Sequence, residues 1–154
     1  MKTIAKLAAL TAVITATGCI KNFEYEGEYE MTYNVVLSGA QTPVKALAGL
    51  SAVEIHEDAH EAFFVDLGAT FCQLSATKGE VTDPFAEWNW LEIAPQPCWF
   101  SYGDRAYALT VAGSATYHDD TERVSIDLAG TFSDDTGDGK GERGTLTLRL
   151  DEHW

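Results

Sequence analysis

The most chemically suggestive string in this chain is His56-Glu57-Asp58-Ala59-His60. On one face of a helix, two imidazoles four positions apart could hold zinc, and the glutamate beside the first could act as general base. A second candidate is the run from Asp134 to Glu142, where Asp134, Asp135, Asp138 and Glu142 are interleaved with glycines. Calcium asks for several hard oxygens on a backbone that can wrap. Thr136, however, occupies the middle ligand position of the EF-hand spacing, and aspartate with glycine is equally what an exposed hairpin loop selects. The third candidate is aromatic. Phe85, Trp88, Trp90, Trp99, Phe100 and Tyr102 lie in and just after a proline-bearing stretch. They would either form a lid over a small apolar ligand or plug a core beneath a long loop, and the plug is the simpler reading.

The histidine string resembles the zincin metalloprotease motif, over five residues only. Zincins keep uncharged residues between and after the histidines, whereas Asp58 and Glu61 are charged here, and no third-ligand motif follows at a familiar spacing. The flanks argue for strands instead. Val53 and Ile55 alternate with Glu54 and His56, and Phe63, Val65 and Leu67 alternate beyond. On that pattern Glu57-Asp58-Ala59 is a hairpin tip, with His56 and His60 near each other across it. A solvated turn comes first, a cross-strand metal site at His56 and His60 second, and a metalloenzyme using Glu57 third. Nucleophilic catalysis finds no support: there is no Gly-x-Ser-x-Gly, no phosphate-cradling glycine loop, and no serine–histidine–aspartate set that spacing can link.

The elements that must carry these residues are strands. From Tyr25 the odd positions read Tyr25, Gly27, Tyr29, Met31, Tyr33, Val35 and Leu37, against Glu24, Glu26, Glu28, Glu30, Thr32 and Asn34. A period of two sends the sets to opposite faces, one apolar and one wet. The same alternation returns over Tyr107–Tyr117, Val124–Phe132 and Leu146–Leu150, with a short turn at His118-Asp119-Asp120-Thr121 and a longer one from Ser133 to Arg143. Ser51–His56, Glu61–Leu67, Thr70–Ala76 and Cys98–Tyr102 bring the count to about eight strands. The expected fold is all-β: a small antiparallel up-and-down barrel, lipocalin-like in architecture, with a two-sheet sandwich as the alternative. Residues 25–154 read as one domain. The least strand-like segment is Lys78–Pro97, which holds Pro84, Pro95 and Pro97.

The amino end gives an address. Lys2 and Lys6 precede an uncharged apolar stretch from Leu7 to Ala16, too short to span a bilayer. Ala16-Thr17-Gly18-Cys19 then resembles the lipobox of bacterial lipoproteins, departing from it at Ala16, where leucine is commonest. The resemblance implies a signal peptide over 1–18, lipid attachment at Cys19, and a tether over 19–24 holding the domain at a membrane. Two or three acyl chains, at about 0.8 kcal/mol per buried methylene, make a stable anchor. Ile20 stands where aspartate would signal inner-membrane retention in enteric bacteria, so the class analogy favours the outer membrane of the cell envelope.

Without residues 1–18, eight basic residues face twenty-four acidic ones. Such a surface repels nucleic acid and draws cationic partners or divalent ions. Cys72 and Cys98 remain, and in an exported chain a lone pair of thiols forms a disulfide. The expected function is therefore a non-enzymatic binding or interaction module, with no required cofactor, whose partner is a small apolar molecule or an envelope protein. An alternative is inhibition of a cationic hydrolase such as lysozyme. Gly113-Ser114-Ala115-Thr116-Tyr117 is faintly similar to the Ser-Gly-x-x-Tyr segment of small anionic lipoproteins that inhibit lysozyme, with serine and glycine exchanged.

Overall fold

A computed structural model describes residues 26–39, 45–58, 62–80, 90–102, 105–118, 120–134 and 141–153. Eight strands follow in chain order: β1 (Gly27–Gly39), β2 (Lys45–Glu57), β3 (Phe63–Asp66), β4 (Gln73–Lys78), β5 (Trp90–Tyr102), β6 (Arg105–His118), β7 (Arg123–Asp134) and β8 (Arg143–Glu152). Each pairs antiparallel with the next. β8 returns to β1, from Met31 opposite Glu152 to Gly39 opposite Gly144. That last pairing makes one continuous up-and-down barrel of what could have been two stacked sheets.

Alternation decides which side each strand shows. Met31, Tyr33, Val35 and Leu37 of β1 are buried, while Glu28, Glu30, Asn34 and Ser38 are exposed. Residues opposite one another across an antiparallel pair share a face, so the inward set continues around the wall. Tyr33 faces Leu150, which faces Ile126, then Ala115, then Leu91. The outward positions carry the opposite chemistry. One row reads Ser114, Asp127, Arg149 and Asn34 in register, with Arg149 held to Asp127 at 3.5 Å and to Asp151 at 2.9 Å. A lipid-facing barrel would reverse this arrangement, apolar outside and polar within.

An eight-stranded barrel is just wide enough to be filled by its own side chains, and here aromatic rings fill it. Phe132, Tyr107, Phe100, Phe71 and Tyr33 are all buried. Phe132 meets Tyr107 edge-on at 5.9 Å, Tyr107 stacks on Phe100 at 5.8 Å, and Phe100 stacks on Phe71 at 4.9 Å. Phe71 meets Tyr33 edge-on at 5.2 Å, which completes a chain of rings from β7 across to β1. Offset and edge-on contacts of this kind each add roughly 0.5–1.5 kcal/mol beyond the area they bury.

The wall has one weak place. β3 and β4 span 4 and 6 residues, whereas β2 and β5 span 13 each. The β2–β3 ladder therefore covers only Glu54–Glu57, and the β4–β5 ladder only Thr77 and Lys78. Where strands are missing, the Leu67–Cys72 turn takes their place. Gly68 turns the chain at φ 84°, a value that suits glycine, and Ser51 Oγ donates to Leu67 O at 2.6 Å. Ser101 N donates to Thr70 O at 3.0 Å, and the Cys72–Cys98 disulfide binds the turn to β5. Gln96 adds a side-chain imitation of a ladder, accepting from Ser75 N at 2.9 Å and donating to Ser75 O at 2.8 Å.

Three elements differ from the sequence reading. β5 begins at Trp90 and runs through Pro95 and Pro97: Pro95 sits in the bulge between Ile93 and Gln96, Pro97 pairs with Thr110 of β6, and both lie where no backbone ladder to β4 asks for an N–H. β2 begins at Lys45 rather than Ser51. Its outward Ala46, Ala48 and Leu50 are apolar, so no alternation marks them. β4 begins at Gln73, since Thr70 to Cys72 belong to the turn.

The cysteines close a loop with a sequence separation of 26. Replacing both Cys72 and Cys98 by alanine should lower the unfolding free energy by roughly 3 kcal/mol. Urea denaturation of the oxidised protein and the double variant measures this. Gln96→Ala should cost less in the oxidised protein than in the variant, because the disulfide already holds the seam that Gln96 bridges.

Candidate functional site

The histidine string lies at the end of β2. His56 is on the outer wall, opposite Phe64 of β3, and stacks on that ring at 5.3 Å with 23° between planes. Its Nδ1 is buried without a hydrogen-bond partner. Glu57 ends the strand, where its N–H donates to Glu26 Oε1 at 3.0 Å and its carboxylate meets Lys78 at 3.8 Å. Asp58 starts a turn, donating from its backbone N to Ala62 O at 2.8 Å and accepting from Ala62 N on Oδ1 at 3.1 Å. The helix that zinc chemistry of this spacing needs is absent among the described residues, where a hairpin stands instead. His60 lies outside the described residues. Among those described, no three histidine, cysteine or acidic side chains come together as a metal site.

At the other end of the barrel Asp134 is buried and turned toward Arg105, whose Nη1 lies 3.3 Å from Oδ2. Its backbone N donates to Glu142 O at 2.8 Å. Asp134 therefore serves β6–β7 packing and Glu142 pairs the two ends of the loop, while Asp135 and Asp138 lie outside the described residues. Of the aromatic candidates, Phe100 is fully buried in the ring chain and Trp99, next in sequence, is 45% exposed on the outer wall. Alternation along β5 places them on opposite faces, so they form no common lid. Trp90 covers Gly79, whose N–H donates to Trp90 O at 3.1 Å. Trp88 and Phe85 lie outside the described residues, as does Cys19. The Gly113–Tyr117 segment lies in the second half of β6, with Gly113 packed against the backbone of Asp127.

What sequence reading missed is the wall around β1 and β2. Glu28 stands opposite Glu54, and Glu54 stands opposite Asp66 of β3, three carboxylates in register on one face. Like charges opposed across strands cost stability. Among the described residues no cation pairs with Glu28, Glu30 or Glu54; the ion pairs there use Lys78, Arg105 and Arg149 on other carboxylates. Beside these acids runs a surface groove of about 490 Å³, lined by Glu28, Tyr29, Glu30, Leu50, Ser51 and Ala52. Leu50 is 58% exposed, well above Trp99 and Tyr102. The available signal was the Lys45-Ala46-Leu47-Ala48-Gly49-Leu50 run, small and apolar in a strongly acidic chain.

Comparison with models of known protein families, with characterised proteins and with solved structures finds no match to this chain. The reading of function rests on the barrel and its surfaces.

Tyr29, packed against the core at the foot of the groove, has its phenol pushed up to about 12 from the ordinary 10.0 by burial, with Glu152 and Tyr117 adding to the rise. The fold thus favours the neutral phenol. Above pH 10 the unfolded chain loses this proton first, so stability should fall as pH rises toward about 12 and level off beyond, where both states are ionised. The urea midpoint of Tyr29→Phe, compared with the parent across that window, should fall less steeply.

Proposed function

We propose that this chain is a bacterial envelope lipoprotein, anchored through Cys19, whose barrel is a non-enzymatic interaction module that binds a protein partner on its outer wall. The observation that carries this reading is the ring-packed interior. Among the described residues, five rings and a continuous set of buried aliphatic side chains point into the space where a ligand-carrying barrel of this size keeps room for its cargo. Recognition then falls to the outside, where Glu28 and Glu30, which no cation among the described residues pairs with, stand beside an exposed leucine. Their charge favours a cationic partner, and a cationic hydrolase such as lysozyme is one protein of that kind. The lipobox resemblance supports the address, since a tether as short as residues 19–24 would keep this wall within reach of other envelope proteins.

The test uses two arms. In cells, the Cys19 protein should partition with membranes and carry acyl mass, and Cys19→Ala should move to the soluble fraction; an unacylated parent protein would remove the anchor. With the purified barrel, the apolar fluorophore N-phenyl-1-naphthylamine should show no saturable uptake. Stoichiometric uptake, competed by fatty acid, would replace the outer-wall reading with ligand carriage in the lumen.

A further inference from the structure

We infer that the outer wall of β5 to β8, at the end where β6 and β8 begin, binds a short oligosaccharide that carries a carboxylate. This face lies apart from the Glu28–Leu50 groove, and the inference does not rest on the partner proposed there. A groove of about 390 Å³ runs across it, lined on its outer side by Ala108, Thr110, Thr131, Ser133, Arg143 and Gly144. Register builds the site in two rows. Trp99 of β5 stands opposite Ala108, Ala108 opposite Ser133, and Ser133 opposite Arg143. Two positions along each strand, Pro97, Thr110, Thr131 and Thr145 follow one another in the same way. Residues opposed across antiparallel strands share a face, so an indole, a row of hydroxyls and a guanidinium lie on one wall.

These groups are free to meet a ligand. Trp99 is exposed, and its neighbour across the ladder is only an alanine. Among the described residues Arg143 makes no ion pair or hydrogen bond through its side chain, whereas Arg149 on the same strand is held by Asp127 and Asp151. The hydroxyls of Thr110, Thr131, Ser133 and Thr145 likewise have no protein partner among those residues. Carboxylates stand away from this wall. Asp134 is buried and turned to Arg105, and Glu142 lies against Gly39. Asp127, the next outward carboxylate along β7, is about 13 Å from Thr131 at roughly 3.3 Å per residue. That exceeds the Debye length of about 8 Å at physiological ionic strength.

The chemistry of the wall selects the occupant. An exposed indole offers a flat apolar face. The C–H-bearing face of a sugar ring covers it, while the sugar's hydroxyls meet threonine and serine. Trp99 and Arg143 are separated along the wall by about 14 Å, at ~4.8 Å for each strand spacing between them. One ring cannot reach both, and a short chain of linked rings can. The guanidinium fork then takes a carboxylate at the far end in paired hydrogen bonds. An extended polypeptide would ask for an unpaired strand edge or a pocket for an anchoring side chain. Here β6 and β7 are laddered on both sides, and the outward side chains between Trp99 and Arg143 are small. A polyanion would find one unpaired arginine on this wall, in a protein whose formal net charge is −14.

The experiment titrates the isotope-labelled barrel with sialyllactose, in which a carboxylate-bearing sugar ends a neutral disaccharide, and with lactose alone. Saturable shifts are expected at the Trp99 indole and at the amides of Ala108, Thr110, Thr131, Ser133 and Thr145, with lactose about tenfold weaker. Arg143→Gln should weaken sialyllactose about tenfold and leave lactose unchanged, while Trp99→Ala should weaken both sugars alike. Both side chains are exposed, and an unchanged amide pattern in β1 and β2 checks that each variant is folded. No saturable shift at these residues with millimolar sugar, equal affinity for the two sugars, or an equal loss of both in Arg143→Gln would overturn the proposal. Inorganic phosphate or tetraglutamate shifting the same signals as tightly would overturn it in favour of a site for any anion.

Discussion

The structure depends on closing a wall whose middle strands are too short. Six strands of 10 to 14 residues can pair with full-length neighbours, but β3 and β4 cannot span the height of β2 and β5. Left as a bare gap, the lower part of the barrel would expose Phe100 and Tyr33 to water and strip Phe71 of its neighbours. The Leu67–Cys72 turn resolves this by carrying Phe71 inward, between Phe100 and Tyr33 in the aromatic chain, while its backbone bonds to β5 at Ser101. A turn has fewer ladder bonds than a strand, so its position relies on other ties: Ser51 on one side, Gln96 and the disulfide on the other.

The same economy produces the surface that the functional reading uses. Because the hairpin of β3 and β4 stops short, β2 has no ladder partner on that side below Glu54 among the described residues. The residues of that edge are small and apolar, which suits contact with another chain better than contact with water. Above it Glu28, Glu54 and Asp66 stand opposed, and among the described residues no cation pairs with Glu28 or Glu54, at a cost in stability that a surface with no task has little reason to carry. A barrel packed with its own rings has its outside left for recognition.

Much of this was legible in the sequence, and the parts that were not share a physical cause. Alternation at Met31–Leu37, Val124–Phe132 and Leu146–Leu150 marks strands with one buried face, and enough of them to close a barrel. The pairing of Cys72 with Cys98 followed from their being the two thiols left after Cys19. Alternation fails wherever the outer face is itself apolar, as at Ala46, Ala48 and Leu50. Proline argued against a strand at Pro95 and Pro97, but a bulge takes Pro95 and the unladdered seam beside β4 tolerates Pro97. The opposed acids were invisible for another reason: Glu28, Glu54 and Asp66 are far apart in the chain, and only register brings them together.

The central claim is that the β4–β5 seam is the weakest joint of the barrel and that the disulfide holds it. Residue-resolved amide hydrogen exchange, measured with Cys72 and Cys98 oxidised and then reduced, tests it directly. Reduction should remove protection from the Leu67–Cys72 turn, β4 and the Ser101 amide, while β6, β7 and β8 remain protected. If protection instead falls evenly around the barrel, or does not change at the seam, the wall is held together in some other way.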